Sequence, residues 1–191
     1  NLANAGVYDE DVIRPLDNPV YHQGSLAVLR GNLAPDGAVM KPAAAEARLH
    51  KHTGPAIVFN SYPEMKAAVE DETLDVTADH IMVFRNAGPV GGPGMPEWGM
   101  LPIPVKLVKQ GVRDMLRISD ARMSGTSYGA CILHAAPEAA IGGPLALVKN
   151  GDMIAVDVAA RTLDLLVDEA ELQARKQVWQ PPEQTVSRGY H

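Results

Sequence analysis

Cysteine is almost missing from this sequence, since Cys131 is the one cysteine among 191 residues. A single thiol cannot form a disulfide within the chain, and it cannot by itself hold a zinc ion or an iron–sulfur cluster. Proteins without disulfides are typical of reducing compartments, so we expect this one to be cytoplasmic.

Long apolar runs and excess positive charge are lacking as well. No stretch approaches the roughly 20 apolar residues of a membrane span, and the N-terminus has no signal-peptide pattern. The net charge is −6, and no basic cluster offsets it locally. We therefore expect neither a membrane nor a nucleic acid as partner. An initiator methionine is also lacking: the chain starts at Asn1, and we expect it to be a piece of a longer protein.

The composition that remains is ordinary for a globular protein, with 46% hydrophobic and 21% charged residues. A chain of this length can bury a core, and its length suits one domain better than two. We predict that domain over residues 1–180, with an irregular approach segment over 1–24. Residues 181–191 form a tail, which we expect to be truncated.

Short apolar segments predict a fold rich in strands, with helices placed irregularly among them. About seven segments read as strands, at residues 26–29, 56–59, 80–84, 115–118, 145–148, 153–156 and 162–167, and residues 39–40 begin another. Asn150 and Gly151 predict a hairpin between the fifth and sixth of these segments. Because helices and strands do not alternate regularly, we predict an α/β fold in which a compact β-barrel-like or sandwich sheet is flanked by helices.

Two capping boxes predict helix starts. Ser61 is followed by Glu64, and Asp168 is followed by Glu171, the spacing at which each side chain can bond a free amide of the first turn. Residues 104–111 place their apolar side chains on one helical face. Residues 128–134 are expected to open a further helix.

A glycine- and proline-rich stretch over residues 86–99, the first loop, follows the strand at 80–84. Its central sequence is GPVGGPGMPE, which ends at Glu97. Glycine lets a backbone approach a ligand closely, and proline restricts the alternatives, so the loop is stiff and irregular. It is either a tight connection with a solvated Glu97 or a device that presents Glu97 to a ligand. No Gly-Lys-Ser/Thr follows, so it is not a Walker phosphate loop.

A second polar stretch over residues 119–129, the second loop, follows the strand at 115–118. Its sequence is SDARMSGTSYG. One interpretation is a hydrogen-bonded turn that caps a helix. The other is that one hydroxyl, Ser124, acts as base or nucleophile with Thr126 in support. The Gly-x-Ser-x-Gly pattern of a hydrolase nucleophile does not occur here.

Metal ligands are sparse in the rest of the chain. His50 and His52 would face the same way on a strand, but no third ligand is near them in sequence. We expect His134 to be a satisfied buried histidine and Cys131 to pack in the core.

The first loop resembles a known family. The run at residues 88–97 is similar to the Gly-Pro-x-Gly-Gly-Pro-Gly-Met-Pro-Glu run of the dihydroxy-acid and phosphogluconate dehydratases. Residues 26–39, 136–144 and 150–152 agree with the same family, so that the likeness covers nearly the whole chain. The second loop resembles the sugar-acid (aldonate and pentonate) branch, because the branched-chain amino-acid branch has a Gly-Arg-Phe-Ser-Gly-Gly type of sequence there.

The resemblance implies a larger enzyme of which this chain is the C-terminal domain, a swivelling β/β/α domain like that of aconitase. In such enzymes an N-terminal domain carries an iron–sulfur cluster, expected to be [2Fe–2S], and ligands of Mg²⁺. By resemblance, Glu97 completes the Mg²⁺ site, Ser124 is the base and Thr126 supports it. The expected partners are a sugar-acid substrate, the N-terminal domain of the same enzyme and further copies in a homo-oligomer.

Three hypotheses follow for the function. The first is the C-terminal domain of a dehydratase that converts a 2,3-dihydroxy sugar acid to a 2-keto-3-deoxy acid. The second is a dihydroxy-acid dehydratase of branched-chain amino-acid synthesis. The third is a non-catalytic swivelling domain that binds a small acid or a partner protein. Because one cysteine cannot hold the cluster, we expect the isolated chain to be inactive.

Overall fold

The described part of the chain forms a closed barrel of eight strands in a computed structural model, which covers residues 5–20, 22–94, 97, 101–124 and 128–183. The strands are β1 (Ala27–Gly31), β2 (Ala34–Met40), β3 (Lys51–Phe59), β4 (Ile81–Phe84), β5 (Arg117–Ser119), β6 (Cys131–Ala136), β7 (Met153–Asp157) and β8 (Thr162–Leu165). The α-helices are α1 (Tyr62–Glu70), α2 (Val105–Lys109) and α3 (Glu169–Val178). Short 3₁₀ helices span Pro42–Ala44, Ala47–Leu49, Ala139–Ile141 and Pro144–Leu147.

The strands follow the order β1-β2-β6-β5-β4-β3-β7-β8 around the barrel. Strands β3 to β6 form a parallel half, because β3 pairs with β4, β4 with β5 and β5 with β6 in parallel. The β1–β2, β2–β6, β3–β7 and β7–β8 pairs are antiparallel, and a parallel contact between β1 and β8 closes the barrel. The prediction of an α/β fold with a barrel-like sheet is confirmed.

Two apolar clusters hold the fold together. One fills the barrel and includes Leu29, Ile132 and Leu163, which are fully buried. The other lies between the parallel strands and the helices α1 and α2, where Met65 and Leu107 pack beneath the sheet. Every residue of β4 is buried, as expected for a strand covered on both faces. The loops that leave β4 and β5 therefore start from rigid strands.

Two sequence predictions of secondary structure are wrong. Residues 131–136 form β6 and not a helix. The prediction is wrong because a short, continuous apolar run is typical of a buried strand and of a buried helix alike. The run at 145–148 lies mainly in a 3₁₀ helix, so the turn at Asn150 does not join two strands. The side-chain oxygen of Asn150 instead accepts a hydrogen bond from the amide of Val58 at 2.6 Å, which connects the turn to β3.

The capping predictions hold in part. Ser61 Oγ accepts the amide of Glu64 at 3.3 Å at the start of α1, as predicted. The Glu64 carboxylate accepts the amide of Asn60 instead of that of Ser61. Asp168 is the residue before α3, but its side chain makes no capping hydrogen bond. Among the helices described, none has the length and apolar character needed to cross a membrane.

Candidate functional site

Both polar loops leave the same edge of the barrel. Strands β4 and β5 are parallel neighbours, and the pair Phe84–Ser119 is the last in their register. The first loop therefore starts beside the second although more than thirty residues separate them along the chain. The carboxyl edge of adjacent parallel strands is where α/β proteins commonly bind ligands.

Asp120 joins the two loops. It is 2% exposed, and its carboxylate accepts the amide of Ala87 at 2.9 Å and that of Asn86 at 3.2 Å. The same carboxylate accepts the amide of Ala139 at 2.9 Å. Burial raises the pKa of Asp120, and these backbone amides act in the opposite direction. A residue of the second loop thus fixes the start of the first.

Glu138 holds the glycine segment of the first loop. Its carboxylate accepts the amides of Val90 and Gly91, each at 2.9 Å at the closest, and its side chain is 8% exposed. A Cβ atom at Gly88 would lie 2.5 Å from Glu138 Oε2. Glycine is therefore needed at residue 88 for the loop to pack against this carboxylate.

A buried ion pair fixes the far ends of both loops. Arg117 donates to Asp114 at 2.9 Å, and both side chains are almost fully buried. The guanidinium also donates to the carbonyl of Leu101, after the first loop, at 2.7 Å, to that of Tyr128, in the second loop, at 3.1 Å, and to that of Met115 at 3.1 Å. Asp114 also accepts the amide of Ala130. These bonds hold the two loop ends at one place.

Glu97 lies opposite Arg122. A guanidinium nitrogen of Arg122 is 3.7 Å from Glu97 Oε2, and 43% of the Arg122 side chain and 40% of the Glu97 side chain are exposed. An exposed pair at this distance contributes little to stability. The contact does bring the carboxylate at the end of the first loop beside the middle of the second, two residues before Ser124.

The segment around Ser124 is held from two sides. Lys41, just after β2, donates from Nζ to the carbonyl oxygen of Ser124 at 2.7 Å. The amide of Met123 donates to His134 Nε2 at 2.8 Å, so this nitrogen carries no proton. Ser124 is half-buried. Thr126, the other predicted catalytic residue, lies outside the described residues.

His134 differs from the buried histidine that the sequence predicts. It is exposed on β6 and its φ is 56°, an unusual conformation for a residue other than glycine. Partial desolvation of the ring and the positive charge of Arg122 lower the pKa of His134 below its usual range. The neutral ring is therefore favoured, which is the form that can accept the amide of Met123.

The described residues fit part of a magnesium site. Glu97 offers the carboxylate oxygen that Mg²⁺ prefers, but within the described ranges no three His, Cys, Asp or Glu side chains are grouped to hold a metal ion. His50 and His52 each lie within hydrogen-bond distance of a backbone carbonyl. An iron–sulfur cluster does not fit these residues, because Cys131 is the one thiol of the chain and is buried.

Sequence reasoning missed the residues that hold the loops. Lys41 stands between a strand and a proline, with no local pattern that indicates a role. Asp120 is one of several polar residues in the second loop, and Glu138 lies outside both loops. Each acts across the barrel, so only the strand order could have identified it.

The family model that matches this chain describes dehydratases, and three relatives similar to this chain are named dehydratases. Residues 11–191 match the family model described as the dihydroxy-acid/6-phosphogluconate dehydratase C-terminal domain. The chain is 58% identical to 6-deoxy-6-sulfo-D-gluconate dehydratase of Pseudomonas putida over 99% of this chain and 33% of that protein. It is 55% identical to L-arabonate dehydratase of Azospirillum brasilense over 92% of this chain and 30% of the relative. A dihydroxy-acid dehydratase of Methanoregula boonei is 49% identical over 93% of this chain and 32% of that protein. The chain thus spans about a third of the length of the curated relatives it matches.

Proposed function

Because this chain belongs to the dihydroxy-acid/6-phosphogluconate dehydratase family, we propose that it is the C-terminal part of an enzyme that dehydrates a sugar acid. The product is a 2-keto-3-deoxy acid. The observation that carries the proposal is the meeting of the two loops, which places Glu97 3.7 Å from Arg122, and Arg122 precedes Ser124 by two residues. A carboxylate, a cation and a hydroxyl are the groups that this chemistry requires.

The reaction removes a proton from C2 and a hydroxide from C3. In the proposed mechanism, Ser124 Oγ takes the C2 proton, and the electron pair of the broken C–H bond forms the C2–C3 double bond. The C3 hydroxyl leaves as water with the proton that Ser124 took from C2, which returns the serine to its alkoxide. The resulting enol becomes the 2-keto acid when its hydroxyl proton is replaced by a proton at C3. A neutral serine is too weak a base for this step, so Ser124 must react as an alkoxide with Thr126 in support.

Glu97 is proposed to be one ligand of a magnesium ion. When bound, Mg²⁺ supplies positive charge that stabilises the enolate-like transition state. Glu97 is suited to this role because it is an exposed carboxylate at the end of a loop that Asp120 and Glu138 hold in place. The other magnesium ligands and the iron–sulfur cluster are proposed to come from the remaining part of the enzyme.

The site is proposed to lie between this chain and an N-terminal domain. Two charged residues, Glu97 and Arg122, keep about two fifths of their side chains exposed. A surface that presents charged groups and a hydroxyl on fixed loops suits closure against a second domain, as in a swivelling β/β/α domain. The complete enzyme is further proposed to be a homo-oligomer.

A sugar acid is favoured over a branched-chain dihydroxy acid. Three relatives named for sugar-acid dehydration are 51–58% identical to this chain, and four named dihydroxy-acid dehydratases are 43–49% identical. The second loop also has the sequence SDARMSGT, which resembles that of the sugar-acid branch.

A substrate panel tests the proposal. The complete enzyme would be given pentonates, hexonates, a 6-sulfonated hexonate and a branched-chain 2,3-dihydroxy acid, and 2-keto acid formation would be measured. The proposal expects kcat/KM to be greatest for one of the sugar acids. Preference for the branched-chain acid, or no turnover of any acid by the metal-loaded enzyme, would contradict it.

A further inference from the structure

Lys41 reaches the second loop from the opposite part of the sequence. It follows the last residue of β2, has an extended backbone, and precedes the 3₁₀ helix that begins at Pro42. Its Nζ donates to the carbonyl oxygen of Ser124 at 2.7 Å across 83 residues of chain. Both residues are half-buried. A bond from an ammonium group to a half-buried carbonyl is charge-assisted and stronger than a neutral one.

The ammonium group of Lys41 lies close enough to β6 for its charge to affect the neighbouring Cys131. The register pairs Met40 of β2 with Ile132 of β6, so Lys41 lies next to Cys131. Burial raises the pKa of the Cys131 thiol, and the charges of Arg117 and Lys41 oppose that rise. Arg117 is already matched by the buried carboxylate of Asp114. The Lys41 ammonium, by contrast, donates directly to the serine.

The position matters because of what Ser124 has to do. The carbonyl group and the hydroxyl-bearing Cβ of Ser124 branch from one Cα, so the cation bonded to the carbonyl contacts the same residue that carries Oγ. A cation at about 4–6 Å favours the anionic form of an acid by a factor of roughly 10–1,000. The proposed base works as an anion, so the contact has a direct consequence for its reactivity.

We propose that Lys41 is a positioning residue for Ser124, which fixes the peptide group of the serine and supplies the positive charge that stabilises its alkoxide. The inference rests on the function proposed above. In the proton transfer the substrate C2–H bond breaks and the proton moves to Ser124 Oγ. The electron pair of that bond remains in the substrate, where it forms the C2–C3 double bond, and Lys41 keeps its own protons throughout.

Three substitutions in the complete enzyme separate charge from anchoring. Lys41→Met removes both the charge and the hydrogen bond. Lys41→Gln removes the charge but leaves a donor for the Ser124 carbonyl, and Lys41→Arg keeps both. We expect Lys41→Met and Lys41→Gln each to lower kcat at least about 10-fold, while KM stays within about 3-fold of the wild-type value, because the lost interaction stabilises the transition state. We expect Lys41→Arg to retain most of the wild-type kcat. Replacing the substrate C2 hydrogen by deuterium should slow the Gln variant at least as much as the wild type.

Lys106 provides the matched control. It is also half-buried and also donates from Nζ to a backbone carbonyl, that of Leu74 at 2.9 Å, but it lies on α2 and this bond reaches neither loop. Lys106→Met should leave kcat unchanged. A Gln variant of Lys41 as active as the wild type would overturn the inference, and so would an Arg variant as impaired as the Gln variant. This comparison also decides the question if Lys41→Met does not fold. Sugar-acid turnover by the wild type that Ser124→Ala abolishes would uphold the proposed function even if Lys41 proved unimportant.

Discussion

The carboxylate of Asp120, in the second loop, accepts the backbone amide of Ala87, in the first loop, at 2.9 Å. The same side chain also accepts the amides of Asn86 and Ala139. One buried acid thus serves two loops and the segment after β6, and the loops behave as one structural unit. The position of Glu97 relative to Ser124 depends on this unit.

Substitution of Asp120 by Asn tests the connection. Asparagine has one acceptor oxygen, and its amide nitrogen would face a backbone N–H, which leaves a buried donor unsatisfied. We expect Asp120→Asn to lower the free energy of unfolding by about 1–3 kcal/mol in urea titrations. Asp168→Asn is the control, because Asp168 is exposed and makes no capping bond. This substitution should change the free energy of unfolding by less than about 0.5 kcal/mol. Equal effects of the two substitutions would show that the loops do not depend on Asp120.

Gly88 tests the fit of the first loop against Glu138. A methyl group at this position would lie 2.5 Å from Glu138 Oε2 and 2.9 Å from its Cβ. Either the carboxylate or the loop must move, and we expect Gly88→Ala to cost about 1–3 kcal/mol of stability. Gly6→Ala is the control, since nothing lies within 4 Å of its Cβ position. Unchanged urea midpoints for both variants would mean that the loop has room that the contacts do not indicate.

The bond between Met123 and His134 predicts a pH dependence of the second loop. Partial desolvation and the charge of Arg122 lower the pKa of His134 in the folded state. A base with a depressed pKa contributes stability that is present above its unfolded pKa, about 6.5, and is lost as pH falls through the folded value. Protonation at Nε2 would then break the bond from the Met123 amide.

The NMR chemical shift of the Met123 amide measures this dependence. We expect it to titrate with a midpoint below pH 6.5 in the wild type and to lose that titration in His134→Gln. His22→Gln is the control and should leave the titration unchanged, because His22 lies in the approach segment. A midpoint at or above pH 6.5, or a titration that survives in His134→Gln, would contradict the assignment.

Much of the fold follows from local sequence. The buried strand β4 and the helix α1 have clear patterns, an apolar run in one case and a Ser61 cap in the other. The residues of the two loops are also evident, because glycine, proline and hydroxyl-bearing residues are concentrated there. The wrong assignment of β6 arose because apolar residues in a strand covered on both faces do not alternate with polar ones.

The contacts that build the site could not be predicted in this way. Asp120 and Ala87 are 33 residues apart, and Lys41 and Ser124 are 83 apart. Each pair meets because β4 and β5, or β2 and β6, are neighbours in the barrel. Strand order depends on the packing of the whole chain, and local patterns do not encode it.

The most direct test of the account is the rate of 2-keto acid formation from the preferred sugar acid by the complete enzyme with Ser124→Ala. Ser25→Ala, an exposed serine before β1, is the matched control, and this 191-residue chain alone is assayed beside them. The account predicts wild-type turnover for Ser25→Ala, a loss of at least about 1,000-fold for Ser124→Ala, and no turnover by the chain alone. Undiminished turnover by Ser124→Ala, or dehydration by the chain alone, would contradict it.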